Sequence, residues 1–218
     1  MRKVFNHDFV SYERLKQVTT DTGRHYVLPD GTELKSVTTV INEKSDKKHL
    51  DRWKKKVGEV KAEQVKKTAC KRGTAVHTLA ERYLLNQEDY LKGSMPSNAF
   101  TFSAIKDILN THVDNLRGVE LPLYSRSLKC AGTTDLVAEY NGKLSIIDFK
   151  TSLRPKKIEW IENYFIQSTV YSLMFYERHN IPVTQVVILI AVDGENVVQR
   201  FVANSSKYYD RVKEIFLA

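Results

Sequence analysis

The chain has 218 residues, of which 42% are hydrophobic and 28% charged, enough apolar material for a buried core and too ordinary a charge content for bulk disorder. A net charge of +8 points toward polyanions, while no apolar run reaches the roughly 18–20 residues that a membrane helix needs. Two cysteines, Cys70 and Cys130, are too few for a disulfide framework, a zinc cage or an iron–sulfur cluster, so reduced thiols in a cytoplasmic setting are expected.

The start, MRKVFNHDFVSYERLK, is basic but has no apolar stretch behind it, which excludes a secretory signal, and Asp8 and Glu13 argue against a transit peptide. Residues 25–41 read as a small strand pair around the turn Pro29-Asp30-Gly31. The segment 44–72 then holds ten Lys and two Arg against four acids, so the whole surplus of +8 lies in these 29 residues. A stripe of that density suits phosphate contacts, Lys54 and Lys55 among them; the bland alternative is a solvated helix face. From about residue 47 to Leu85 the spacing predicts two helices broken near Arg72-Gly73, the second with Val76, Leu79, Ala80, Tyr83 and Leu84 toward the core. A loop with Gly93 and Pro96 follows, then an amphipathic helix over 101–117 stopped at Gly118.

Strands dominate the next stretch: VELPLYS, SLKCAGTTDLVAEY and KLSIIDFKTS. A helix over roughly 157–178, strands QVVILIAV and NVVQRFVA about Asp193-Gly194, and a last helix from about Tyr208 complete the chain. This order predicts an α/β domain with a central mixed sheet covered by helices. One domain over 1–218 is expected, divided into N-terminal strands (1–43), a basic helical region (44–118) and a sheet with helices (119–218).

Asn141-Gly142 between two strand-like runs is a strong hairpin signal. With those two residues as the loop, Tyr140 opposes Lys143, Ala138 opposes Ser145 and, further out, Asp135 opposes Asp148. Directly opposed carboxylates sit about 4.5–5.5 Å apart at Cβ and repel. Lys150, two residues beyond Asp148, shares its face. Ile146, Ile147 and Phe149 mark a strand buried on both faces, where a carboxylate is costly unless paired or metal-bound. Two carboxylates and an ammonium at one end of a buried hairpin suit magnesium or manganese and hydrolysis of a phosphodiester. The competing reading is a salt-bridged cluster in which Lys150 neutralises Asp148 and Asp135 caps the strand.

The run Gly132 to Ser152, GTTDLVAEYNGKLSIIDFKTS, resembles the core of the PD-(D/E)XK nucleases in their RecB-like branch, with Asp135 as first acid and Asp148-Phe149-Lys150 as second acid, spacer and lysine. Arg72-Gly73-Thr74-Ala75-Val76-His77 resembles the branch's upstream histidine motif, and Gln167-Ser168-Thr169-Val170-Tyr171 its downstream Gln-x-x-x-Tyr motif. Within the branch the chain is most similar to the mitochondrial-genome-maintenance type and the related small phage exonucleases, through Ser36-Val37-Thr38-Thr39-Val40, Trp53-Lys54-Lys55 and Asp-Phe-Lys-Thr-Ser. The resemblance implies a restriction-endonuclease-like core with an N-terminal helical arch among residues 45–100. It also implies a Mg2+- or Mn2+-dependent deoxyribonuclease acting on single-stranded DNA with a free end. Single-strand-binding or replication and recombination proteins are the expected partners, with no membrane, in a bacterial or host cytoplasm.

On this reading Asp135, Asp148, the Phe149 carbonyl and His77 hold the metal, and Lys150 orients or deprotonates the attacking water. Glu120, on the strand before Asp135, is a further acid; its bland reading is an edge-strand charge. Glu81, one turn from His77, is a candidate to orient the imidazole's other nitrogen. Gln167 and Tyr171 brace the site or touch the DNA backbone, unless Gln167 simply faces solvent and Tyr171 is core. Arg72, Thr74, Thr151 and Ser152 are candidate phosphate contacts, and Trp53, Tyr83 and Tyr90 candidate stacking platforms. The alternatives are a structure-selective or duplex-acting nuclease, or a catalytically silent nucleic-acid-binding module.

Overall fold

A computed structural model describes residues 2–46 and 48–217, the side chain of His49 excepted. The fold is mixed α/β, with one sheet of eight strands flanked by helices. β1 (Lys16–Thr20), β2 (Gly23–Val27) and β3 (Glu33–Ser36) form an antiparallel meander. α1 (Val37–Lys44), α2 (Lys48–Val57), α3 (Glu59–Leu84) and α4 (Pro96–His112) follow. β4 (Val113–Ser125), β5 (Cys130–Tyr140) and β6 (Lys143–Ser152) come next, β5 and β6 at the centre and β4 paired only with β5. α5 (Glu162–His179), β7 (Gln185–Val192), β8 (Val197–Asn204) and α6 (Tyr209–Phe216) complete it.

β5 explains where the functional residues gather. Its whole length, Cys130 to Tyr140, pairs antiparallel with β4. Its other edge is divided: β6 takes Leu136–Tyr140, and β3 takes Cys130 and Ala131 in parallel. Gly132–Asp135 are left between the two partners, and β6 from Asp148 onward pairs only with β7. The Asn141-Gly142 turn has both residues at positive φ, +53° and +74°, as a two-residue hairpin of matching twist requires. The register it sets is the one expected from the spacing, with Tyr140 opposite Lys143 and Ala138 opposite Ser145.

Alternation along β6 and β7 divides the core between two faces. Ile146, Val186, Ile188 and Ile190 pack with Phe165, Val170 and Met174 of α5 and with Val37 and Ile41 of α1. Ile147, Phe149, Val187 and Leu189 pack with Val76, Leu79 and Leu84 of α3 and Ile105 and Leu109 of α4. Strands buried on both faces need no polar alternation, which is why these runs read as continuous apolar sequence. Each such side chain contributes about 1.5–3 kcal/mol on burial.

Several expected boundaries move. α3 runs unbroken through Arg72-Gly73, and the break falls at Gly58, at φ +85°. The helix expected over 101–117 is α4, begun by Pro96 at its first turn and ended at His112. Ile105, Leu109 and Val113 continue a helical spacing into what is strand, with β-bulges between Asp114 and Gly118. Ser36 ends the β3 strand and caps α1, its hydroxyl accepting from the Thr39 amide at 3.0 Å, so half of the expected second strand is helix. Ile158–Trp160 form a separate 3-10 turn before α5, leaving Trp160 64% exposed rather than in the helix. The start of the basic helical stretch, residue 47, lies outside the described residues. No helix among the described residues is long and apolar enough to cross a membrane.

Candidate active site

Asp135 is the last residue of the stretch of β5 that β3 and β6 leave open on one edge, and Asp148 is the first residue of β6 beyond the β5 ladder, whose final pair is Leu136 with Ile147. The two strands fork there. Asp135 Oδ2 accepts a hydrogen bond from the Phe149 amide at 2.7 Å, occupying a donor that the open ladder leaves free. Asp148 is almost wholly buried, with 2% exposure. Its carboxylate is ion-paired with Lys150, and Gln167 of α5 donates to Oδ1 at 3.2 Å. Gln167 therefore faces the site rather than solvent. Oδ2 is in contact with the ammonium but has no hydrogen bond of good geometry. A buried carboxylate oxygen in that state is costly without a further partner.

His77 arrives from α3. Its Nε2 lies 2.8 Å from the Phe149 carbonyl, and Nδ1 lies 3.4 Å from Asp135 Oδ1 and 3.9 Å from Glu120 Oε1. The imidazole thus uses the Phe149 carbonyl that was expected to ligate metal. The ligand-bearing atoms that converge among the described residues, all within 4.8 Å of one another, are those of His77, Glu120 and Asp135. Asp148, expected among the ligands, is turned toward Lys150 instead. Glu120 stands at φ +46°, a left-handed conformation inside a strand that costs a non-glycine residue about 1–3 kcal/mol. β4 pairs with β5 alone among the named strands, and from this edge the Glu120 carboxylate is directed at His77, its Oε1 3.9 Å from Nδ1.

The electrostatics follow from this packing. Burial alone would lower the His77 pKa, but the Asp135 carboxylate, helped by Glu120, raises it to about 10. Burial works to raise Asp135, yet His77 and Lys150 hold it below the usual carboxylate value. Burial raises Glu120, opposed by His77. Asp148 is pushed up to about 6 by burial, with Lys150 opposing and Asp135 reinforcing. Burial would strip Lys150 of its proton, but Asp148 and Asp135 hold it above the ordinary lysine value. The carboxylates of Glu120, Asp135 and Asp148, balanced by one imidazole and one ammonium, form a concentration of negative charge that fits a divalent cation. Carboxylate oxygens with a single imidazole suit a hard ion such as Mg2+ or Mn2+.

A cavity of about 260 Å³ opens onto these groups. His77, Glu120, Asp135, Lys150, Gln167 and Tyr171 line it together with residues that sequence reasoning did not assign, namely Gln17, Arg24, Tyr26, Ser36, Thr38 and Thr133. Ser36 and Thr38 lay within a motif already noted; Arg24 had no such signal, because only the β1–β3 meander brings it here. Tyr171 is buried against Gly132, where a Cβ would lie 2.6 Å from Tyr171 Oη. Tyr164, also unforeseen, has its ring 5.2 Å from Lys150 Nζ.

A second groove of about 630 Å³ runs between α2–α3 and the β6–α5 connection, lined by Trp53, Lys61, Arg72, Thr151, Arg154 and Tyr164 among others. Lys54 and Lys55 are exposed on α2, and Thr74 is exposed on α3. Three candidate contacts are otherwise engaged. Arg72 donates to Asp193 at 2.8 Å with its side chain only 10% exposed, tying α3 to the β7–β8 turn rather than offering its guanidinium to a phosphate. The buried Ser152 hydroxyl donates to the Arg154 carbonyl. Glu81 acts electrostatically on Glu120, and both His77 nitrogens face other groups, so it does not orient the imidazole. Tyr83 is core, donating to Asn110 Oδ1 at 2.6 Å, with Tyr90 packed on it, so neither is a stacking platform, whereas Trp53 does line the groove.

No family model matches the chain. It is 32% identical over 113 residues to the Mus musculus protein named mitochondrial genome maintenance exonuclease 1, covering 50% of this chain and 33% of that one. The Homo sapiens protein of the same name is 31% identical over 143 residues, 62% of this chain and 39% of that one. The Xenopus tropicalis protein is 29% identical over 112 residues, 50% and 32% respectively. The chain thus spans between 32% and 39% of the length of the curated relatives it matches. A solved structure, that of SSO0001, covers 76% of this chain and 68% of its own at 19% identity, with a TM-score of 0.35, too low to bear on the fold.

Proposed function

We propose that the chain is a metal-dependent DNA exonuclease of the PD-(D/E)XK type, RecB-like branch, that prefers single-stranded DNA with a free end. The observation that carries this reading is the convergence of Asp135, Asp148, Lys150 and His77 at the fork between β5 and β6. The likeness to proteins named as exonucleases supports the choice of reaction.

His77, Glu120 and Asp135 would hold the cation, with Asp148 joining when Lys150 yields an oxygen to it. When bound, the ion supplies charge stabilisation at phosphate oxygens and lowers the pKa of water. The chain's own groups do the rest. Lys150, kept protonated by Asp148 and Asp135, donates to the charge developing on the phosphate. Gln167 donates to Asp148 and orients it, and Tyr171 packs against Gly132 on the strand that carries Asp135. Water oxygen attacks phosphorus and gives up a proton, the bond to the leaving oxygen breaks, and that oxygen takes up a proton in turn, so that one water is consumed per bond cleaved. The exposed lysines of α2 and the groove beside Trp53 suit passage of one strand toward the fork.

The test is digestion of end-labelled linear single-stranded DNA beside a single-stranded circle, with Mg2+, Mn2+ or EDTA. Metal-dependent loss of the linear strand with an intact circle is the expected result. Cleavage of the circle would make it an endonuclease, faster loss of duplex a duplex-acting one, and tight binding without cleavage a silent module.

A further inference from the structure

The catalytic proposal leaves one wall of the 260 Å³ cavity unused. β2 pairs with β3 in a register that, continued from His25 opposite Lys35, sets Arg24 across from Ser36. Ser36 pairs with Ala131 of β5, and Thr133 and Asp135, further along that strand, line the same cavity as Arg24. Tyr26, two residues along β2, reaches within 3.4 Å of Thr133 Oγ1. A single cavity therefore carries both Arg24 and Asp135 on its walls.

The backbone of Arg24 is clamped. Its amide donates to Thr39 Oγ1 at 3.1 Å, and its carbonyl accepts from the same hydroxyl at 3.2 Å. Gly23, at φ +117°, makes room for this contact, because a Cβ there would lie 2.8 Å from the Thr39 methyl. The side chain, by contrast, has no ion pair or hydrogen bond among the described residues. Glu120 and Asp135, the acids lining the cavity, already face His77, and Lys150 is taken by Asp148. Arg24 is thus an exposed cation on a clamped backbone, with Gln17 and Thr38 lining the same cavity, while the Ser36 hydroxyl is already engaged in capping α1 and with Thr38 and Thr39. A guanidinium forked beside neutral donors is a grouping that takes the oxygens of a phosphate.

We infer that this wall is a phosphate-binding subsite, in which Arg24 holds the phosphate of the strand's terminal nucleotide while the fork acts on the next bond. The inference rests on the nuclease reading, and it assigns the cavity to one nucleotide at a strand end rather than to continuous strand.

Its test is calorimetric binding of the whole chain, in EDTA, to a deoxynucleoside 5′-monophosphate, the 3′-monophosphate and the unphosphorylated nucleoside. One monophosphate is expected to bind at least about tenfold tighter than the nucleoside, a difference of the size of one charge-assisted contact. Arg24→Ala should erase that preference and Arg24→Lys retain part of it, with thermal stability close to the parent because the side chain has no protein partner to lose. Equal binding of monophosphate and nucleoside by the parent chain overturns the proposal, as does a preference that survives in Arg24→Ala. Which monophosphate is preferred tells which end of the strand is held. A chain that cleaves no DNA would remove the nuclease reading while leaving this binding result standing.

Discussion

Asp135 and Asp148 occupy the first opposed position at which β5 and β6 cease to pair, and Asp135 bridges the gap by accepting from the Phe149 amide at 2.7 Å. A continuous ladder would have forced the two carboxylates together with no room between them. Forking the strands keeps them on one face and opens space for a cation and a phosphate.

Asp148→Asn should lower cleavage at least a hundredfold while leaving DNA binding in Ca2+ within a few-fold, since it removes charge and keeps shape. Lys150→Ala should do the same. Single-turnover kinetics beside a filter-binding isotherm checks both, and parental turnover in either variant would remove these residues from the site.

Glu120 is strained at φ +46°, and glycine adopts that conformation freely. Glu120→Gly should therefore raise stability by about 1 kcal/mol, a rise in Tm of roughly 2–4 °C for a chain this size. Metal affinity should fall in the same variant. Glu120→Gln loses the charge but keeps the strain, so an equal gain from it would show that the carboxylate, not the backbone, was the cost.

Gly132→Ala should destabilise by about 1–3 kcal/mol, because the new methyl falls 2.6 Å from Tyr171 Oη. Adding Tyr171→Phe removes that oxygen and should restore part of the loss in urea melts. An unchanged midpoint for Gly132→Ala would mean that Tyr171 moves aside at no cost.

Replacing Lys54, Lys55 and Lys56 by Glu should weaken single-strand binding and flatten the plot of log affinity against log salt by about 0.7 for each phosphate no longer neutralised. An unaltered slope would return α2 to the role of a solvated helix.

The two thiols should differ sharply. Burial, with Glu177 nearby, pushes Cys130 up to about 12, whereas Cys70 is exposed on α3. A thiol reagent at pH 8 should titrate one group in the native protein and two in guanidinium, since Cys130 forms thiolate only near its raised pKa. Two fast native reactions would contradict the packing around Cys130.

What the sequence determined by itself is what local rules govern. Asn141-Gly142 sets both φ values of the turn, and the register then runs outward to Leu136 opposite Ile147, which leaves Asp135 and Asp148 as the next residues at the end of the ladder. The apolar runs of β6 and β7 marked strands buried on both sides, and the Lys-rich segment was visible as charge alone. The tertiary structure decided everything that joins distant segments. Ile105, Leu109 and Val113 satisfy a helix and a strand equally, so only packing ends α4 at His112. Arg72 is claimed by Asp193, 121 positions away, and Glu120 adopts a conformation disfavoured for its own residue type. Arg24 reaches the cavity only because β3 pairs in parallel with a two-residue stretch of β5 that β6 leaves open. Parallel pairing and helix docking depend on contacts between segments far apart in the chain, and no short-range pattern encodes them.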